Sequence, residues 1–321
     1  MTIYFLGWTA QYERRLVSYL AERYDVGQIP DRKGLMRLHR IVKKIFGARY
    51  AGLLGRLYCK LAGFSGKDML ICNEGQIHRK LNPAILLAFP GTRILVVRDL
   101  VDSAFLARWR PHFDAIYSFD QAQCARLGMQ AMNQFLPIGY DEKPIAPPCA
   151  DGGGPTALFI GRDKYRSRSL LALADLLKAC DYEVDFRILV DDSTQERSAY
   201  HITSLVNYAQ SLASTLSADV LVEMNQPGQA GFTLRPLEAA YFSKKLITTN
   251  PAIMQSSLYH PNNVYVLDGL ETWDAKRLKA FLESDFHPVS KETIFEYSPD
   301  HMLEFLISRH GAAVREPASG G

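Results

Sequence analysis

The residues best suited to chemistry lie in two stretches, "GQAGFTLRPLEAAYFSKKLITTN" (Gly228 to Asn250) and "GRDKYRSR" (Gly161 to Arg168). In the first, Thr233 suits a helix N-cap, and Pro236 is tolerated in an opening turn whose amides lack intrahelical partners. Such amides and the positive end of the helix dipole attract phosphate. Gly228 and Gly231 allow backbone to approach a ligand closely. In the second stretch, Arg162 offers a two-pronged contact to a diphosphate and Lys164 a point charge. Glu238, acceptor-only when ionised, suits the paired hydroxyls of a ribose. A plainer account uses the same residues. An acid in a first helical turn complements the dipole, contributing about 0.3–1 kcal/mol, and Arg235 is spaced from Glu238 for a local ion pair. The placement of both stretches after apolar runs favours a binding site.

The elements that must position them follow a repeating rhythm. Near-continuous apolar runs at 2–7, 69–74, 93–99 and 115–120 alternate with helical segments at 11–23, 82–88, 102–108 and 122–127. That pattern predicts parallel strands covered on both faces. "FLPIGYDEKPIAPPCADGGGPT" then interrupts it, because Pro144, Pro147, Pro148 and the run Gly152 to Gly154 continue neither a helix nor a central strand. The rhythm restarts with a strand at 156–161, and further strands are predicted at 184–190, 219–224, 244–249 and 263–268. In open parallel sheets, ligands bind beyond the carboxyl ends of the strands, and both chemical stretches fall there. The expected architecture is α/β, with two Rossmann-like parallel-sheet domains joined by a Pro/Gly linker. The expected divisions are a first Rossmann-like domain at 1–140, a linker at 141–155, a second at 156–300 that carries both chemical stretches, and a closing helix and frayed tail at 301–321.

Composition bounds the partners. The chain has 321 residues, 47% hydrophobic, with a net charge of +3, which argues against a bulk nucleic-acid binder. No apolar run reaches the length of a membrane span, and the first residues lack the pattern of a secretory signal. The cysteines Cys59, Cys72, Cys124, Cys149 and Cys180 make no C-x-x-C pair, so a reducing cytoplasm is expected and neither a zinc site nor a disulfide framework is indicated. From Arg32 to Lys60 the sequence carries nine Lys or Arg and no acid, with apolar residues at helical spacing. Two readings stay open for this helix: an ordinary solvated basic face, or one lying on anionic lipid or beside an anionic acceptor.

"FIGRDKYR" and "PGQAGFTLRPLEAAYFSKKLITTN" resemble the nucleotide-binding domain of GT-B glycosyltransferases, in particular bacterial enzymes of lipopolysaccharide and capsular polysaccharide assembly. The likeness spans about Thr156 to Asp268. It implies two Rossmann-like domains facing across a cleft, 1–140 for the acceptor and 156–300 for the nucleotide sugar, with Glu238 binding the ribose. It also implies that Gly161, Gln229, Gly231, Phe232, Thr233 and Arg235 line the donor site, with Arg162 and Lys164 offsetting the diphosphate. Many retaining members carry a second glutamate eight residues before Glu238, where this chain has Ala230, so the stereochemical outcome is left open.

The implied reaction passes a glycosyl group to a hydroxyl of a lipid-linked or surface-glycan acceptor, at the inner face of the membrane. Fixed positive charge and helix amides, rather than a metal, would stabilise the leaving diphosphate. Neither a cofactor nor a metal is expected; Asp191-Asp192 is the nearest approach to a metal motif and reads as a strand-end turn. Should the enzyme invert, Glu74 and Asp99, at strand ends of the first half, are the candidate bases, with His78 behind them. A non-catalytic nucleotide-binding partner subunit of the same fold is the alternative. A nicotinamide-linked oxidoreductase is disfavoured, since neither "FLGWTAQY" nor "FIGRDKYR" supplies a Gly-x-Gly-x-x-Gly turn.

Overall fold

The computed structural model describes residues 1–29, 48–142, 144, 154–226, 229–268 and 273–311, with backbone alone at 48–51. The chain divides into two units: Met1–Asn133, Pro137–Gly139 and the chain from Pro299 onward form the first, and Gln134–Leu136 with Tyr140–Ser298 form the second.

The first unit runs β1 (Ile3–Leu6), α1 (Gln11–Ala21), β2 (Val26–Gln28), α2 (Ala48–Ala62), β3 (Met69–Asn73), α3 (Asn82–Ala88), β4 (Thr92–Val97), α4 (Ser103–Trp109), β5 (Ala115–Ser118), α5 (Gln121–Leu127) and β6 (Gln130–Ala131). Its strands pair in parallel in the order β2-β1-β3-β4-β5-β6. Every residue of β3 is buried, as a strand covered on both faces requires. Asp102 and Asp120 fix where α4 and α5 begin, each carboxylate accepting an amide three residues on, from Phe105 at 2.7 Å and Gln123 at 2.8 Å. Helix α2 lies so close on α3 that a Cβ at Gly55 would sit 2.1 Å from the Ala84 carbonyl oxygen, which only glycine avoids.

The second unit runs β7 (Thr156–Arg162), α6 (Ser167–Ala179), β8 (Glu183–Leu189), β9 (His201–Ile202), α7 (Tyr208–Ser217), β10 (Val220–Glu223), α8 (Leu234–Tyr241), β11 (Lys245–Thr248), β12 (Val264–Val266), α9 (Ala275–Glu283) and α10 (Lys291–Glu296). Its parallel order is β12-β11-β10-β7-β8-β9. The chain moves outward from β7 to β8 and β9, then returns to β10 on the other side of β7, so the topological switch point lies between β7 and β10. Open sheets bind ligands there. One last helix, α11 (Pro299–His310), rejoins the first unit: buried Asp300 accepts from the Tyr19 hydroxyl at 2.8 Å and the Tyr24 hydroxyl at 3.1 Å. Burial and the Asp300 carboxylate push the Tyr24 phenol up to about 12.

The expected apolar strands are all present to within about two residues. Strands β2, β6 and β9 were not anticipated, being edge pieces of two or three residues. Of the basic segment 32–60, the described part forms α2, and 32–47 lies outside the described residues, as does most of the expected linker 141–155.

Candidate functional site

Glu223 ends β10 and is the anchor of the second unit's strand-end chemistry. Its carboxylate is buried, accepting from the Thr233 hydroxyl at 2.6 Å, the Thr233 amide at 3.2 Å and the Thr248 hydroxyl at 2.7 Å. Thr233 in turn N-caps α8, its hydroxyl accepting from the Arg235 amide at 3.2 Å. The positive end of α8 is thereby met by the protein's own acid. This corrects the picture of open helix amides awaiting phosphate, since the Thr233 and Arg235 amides are already engaged.

Glu238 is likewise buried. It is the fifth residue of α8, past the first turn, so dipole complementation does not account for it. Its Oε2 accepts from Arg235 Nη1 at 2.5 Å, with side-chain exposures of 13% for Arg235 and 4% for Glu238. The local ion pair of the plainer account therefore exists, and it is a desolvated one. Arg235 also donates to Thr215 Oγ1 at 2.8 Å and Ser211 Oγ at 3.2 Å, tying α7 to α8. Burial raises the carboxyls of both Glu223 and Glu238; the threonine hydrogen bonds oppose this at Glu223, and Arg235 opposes it at Glu238.

Both acids, Thr233 and Arg235 line one cavity of about 270 Å³ together with Phe159 and Ile160 of β7. It opens at the switch point between β7 and β10. The guanidinium lining it from the β7 side is Arg166, which donates to the Met224 and Arg162 carbonyls and lies 5.3 Å over the Phe159 ring. Burial lowers its proton affinity, against the pull of Asp163, Asp191 and Glu223. Arg162 is exposed at the end of β7. Lys164 and Tyr165 both hold left-handed backbone, with φ of 46° and 63°, a costly conformation for side chains of this size. Their amides are held by Asp191 Oδ2 at 3.2 Å and Ser193 Oγ at 2.9 Å. Asp191, expected as a strand-end turn, serves as one: burial pushes its carboxyl up, but the Ser193 hydroxyl and amide and the Lys164 amide hold it below the usual range. A Cβ on Gly161 would crowd the Phe159 ring and the Arg166 guanidinium.

The loop before α8 is pinned by two asparagines. Asn225 Nδ2 donates to the Gln229 carbonyl and Asn250 Nδ2 to the Ala230 carbonyl, each at 3.0 Å. Among the described residues, buried Asn225 Oδ1 has no hydrogen-bond partner, which leaves an acceptor available to a ligand donor. The Phe232 carbonyl accepts from Gln134 at 3.3 Å, and Gly231 is buried beside it. Gly228 lies outside the described residues. A second cavity, about 660 Å³, sits at the carboxyl ends of β11 and β12, between Ser169, Thr249, Asp268 and Trp273.

Two features that invite a catalytic reading have structural roles. Asp163, His201 and Ser167 cluster, but Ser167 Oγ and Asp163 Oδ2 approach the same ring nitrogen, Nε2, at 3.1 and 3.5 Å. A serine relay needs them on opposite nitrogens. The Ser198 amide donates to Nδ1 at 2.8 Å, assigning the ring proton to Nε2. Lys245, the first residue of β11, turns inward and donates to the carbonyls of Phe281, Leu282 and Ser284. It closes the end of α9.

In the first unit, Glu74 and Asp99 stand at the carboxyl ends of β3 and β4. Glu74 Oε2 accepts from the Arg98 amide at 3.0 Å, and burial raises its carboxyl, opposed by that hydrogen bond and assisted by Asp99. Asp99 is exposed and accepts from the next amide at 2.8 Å; His78 is exposed. Among the described residues, no group of three or more His, Cys, Asp or Glu is placed to hold a metal, and no helix is long and apolar enough to cross a membrane.

Sequence reasoning named Glu238, Arg235 and Thr233 but missed Glu223 and Arg166 as cavity groups, and Thr248 as a partner of Glu223. Glu223 was a lone acid ending an apolar run. The signal for it was three-dimensional, since its partners lie ten and twenty-five residues away.

The burial of Glu223 sets a pH dependence. Its folded-state carboxyl binds a proton more tightly than the unfolded chain, where glutamate titrates at about 4.3. Its contribution to stability is therefore full below that value and lost as pH rises through the folded-state pKa. Glu223→Gln removes this loss. The melting temperature of the variant minus that of the wild type should climb from pH 4 to pH 7, by about 2–4 °C for each kcal/mol recovered. A flat difference across that range would contradict the assignment.

No family model matches the chain, and no curated protein matches it by sequence. Among solved structures it is similar to AviGT4, a glycosyltransferase involved in avilamycin A biosynthesis, with a TM-score of 0.57, 11% identity and 97% of each chain covered. It is also similar to the pneumococcal O-GlcNAc transferase GtfA in complex with UDP and GlcNAc (TM-score 0.49, 13% identity, 82% of this chain and 60% of that one). A third likeness is to the glycosyltransferase SnogD from Streptomyces nogalater (TM-score 0.45, 11% identity, 96% and 99% covered). The chain thus spans 60% of the length of GtfA. Two six-stranded parallel sheets in α/β units, matched over nearly the whole length of AviGT4, make the fold GT-B.

Proposed function

We propose that the protein is a glycosyltransferase that moves a sugar from a nucleotide-sugar donor to an acceptor hydroxyl. The observation that carries this is the cavity at the β7–β10 switch point, where buried Glu223 and Glu238 face Arg166 and Arg235. A ribose can give two hydroxyl hydrogen bonds to a carboxylate, and a diphosphate is stabilised by fixed cations. In this reading Glu238 receives the ribose hydroxyls, held in one rotamer by Arg235. Arg162, Lys164 and the loop Gln229 to Thr233 face the diphosphate and donor sugar. The bond between the anomeric carbon and the diphosphate breaks with its electron pair leaving on phosphate oxygen. A new bond forms to the acceptor oxygen, whose proton passes to a carboxylate, for which Glu74 is the first assignment and Asp99 the second. Departure is served by protein cations and needs no metal. A surface-glycan or lipid-linked acceptor, of the kind used in lipopolysaccharide or capsule assembly, is the class we assign on the likeness of "GFTLRPLE" and "KKLITTN".

Thermal shift against UDP, GDP, dTDP, CMP and ADP tests the binding half. A nucleotide at a hundred times its Kd stabilises the folded state by about 2.7 kcal/mol, so one of the five should raise the melting temperature clearly. No shift with any of them would overturn the reading. A shift without turnover on any donor and acceptor would favour a non-catalytic binding subunit instead.

A further inference from the structure

Helix α2 carries an exposed apolar line that the described residues leave uncovered. Leu53, Leu57 and Leu61 are 57%, 46% and 65% exposed, at steps of four, so they stack on one face of the helix. The opposite face is the packed one: Tyr58 and Cys59 are buried, and Gly55 sits against Ala84. At about 100° per residue, the leucine line points away from the first unit's core. Arg56 and Lys60, both exposed, flank it along one edge. From Ala48 to Ala62 the helix contains no acid, within a stretch, 32–60, that is wholly basic among its charges.

Among the described residues nothing buries these three leucines, and holding them in water on a helix already anchored on its other side is a cost. Charge decides which partner. Pairing this face with the same face of a second copy would bring Arg56 and Lys60 of both chains together, and like charges repel. A surface both apolar and anionic satisfies the leucines and the cations at once. A bilayer with acidic headgroups is such a surface: leucines sink below the headgroups while long basic side chains stay at them. We infer that the outward face of α2, built from Leu53, Arg56, Leu57, Lys60 and Leu61, docks the protein on an anionic membrane. This goes beyond the transferase reading and stands whether or not that reading holds.

The test is co-sedimentation of the full chain with phosphatidylcholine vesicles, with and without about 30% phosphatidylglycerol. Wild type should pellet with the anionic vesicles only, and less so in high salt. Arg56→Gln with Lys60→Gln should weaken binding by about thirty-fold, and Leu57→Asp with Leu61→Asp on the order of a hundredfold. Neither pair removes a packed side chain, so melting temperatures should stay at the wild-type value. The inference is overturned if wild type ignores anionic vesicles, or if either double variant binds as it does. It is equally overturned if wild type is a dimer in solution that Leu57→Asp with Leu61→Asp dissolves, because a second copy then covers the face.

Discussion

Glu238→Gln will bind the nucleoside diphosphate on the order of a hundredfold more weakly than wild type and remain folded. Hydrogen bonds to a charged group contribute about 1.5–3 kcal/mol each, and the amide gives up the charge on the acceptor. The ion pair with Arg235 at 2.5 Å is also lost. Arg235 keeps Thr215 and Ser211 as acceptors, so a neutral amide in place of the carboxylate does not strand it. Glu238→Ala is the harsher change. Removing one partner of a buried pair costs about 3–5 kcal/mol, and here the lower end applies because Arg235 is partly exposed and otherwise bonded. Titration calorimetry with the nucleotide found by thermal shift, run beside melting curves, separates the two effects. Wild-type affinity in Glu238→Gln would sink the assignment of Glu238 to the ribose. Lost affinity with a melting temperature lowered as far as in Glu238→Ala would show Glu238 to be a structural ion-pair member only.

Glu74→Gln should lower kcat by about 10²–10⁴, the range for removing a general base, while nucleotide affinity stays unchanged. Glu74 is the better placed of the two strand-end acids to take a proton. Burial raises its carboxyl, and Asp99 raises it further, toward the pH at which a carboxylate accepts protons effectively. Asp99 is exposed. A base must be deprotonated to act, so the wild-type rate should fall as pH drops through the Glu74 pKa, above the ordinary glutamate range. That limb should be missing in Glu74→Gln and present in Asp99→Asn. If Asp99→Asn removes it instead, the two acids exchange roles; if neither changes kcat, acceptor activation lies elsewhere.

The alternation of strand and helix was readable because parallel strands are buried on both faces and therefore appear as unbroken apolar runs, as in "MLICN" and "VLVE". Edge strands of two or three residues, such as Gln130–Ala131, have no such run to betray them. Helix α8 and its cap were legible from Thr233 and Pro236, whose preferences are local. The carboxylate that meets the cap was not, because Glu223 reaches Thr233 and Thr248 only after β10 and β11 pair. Lys245 shows the same limit: nothing local to it in the sequence tells that it directs its charge at the carbonyls ending α9. Among the basic residues of the β7 turn, sequence offers no means of ranking Arg162, Lys164 and Arg166. The left-handed pair at Lys164 and Tyr165 turns the chain so that Arg166 reaches the cavity.

The return of α11 to the first unit has a consequence for synthesis. When residue 133 leaves the ribosome, that unit has all six of its strands but not the acid that receives the Tyr19 and Tyr24 hydroxyls. Asp300 arrives only after the whole second unit has been made, which at about 5–20 residues per second is a wait of roughly ten to thirty seconds. Through that interval the nascent chain shows an unfinished apolar flank where Leu303 and Leu306 will lie. A chaperone that holds nascent chains has its longest opportunity there, and a ribosome stalled within the second unit leaves behind a first unit without α11 and its Asp300.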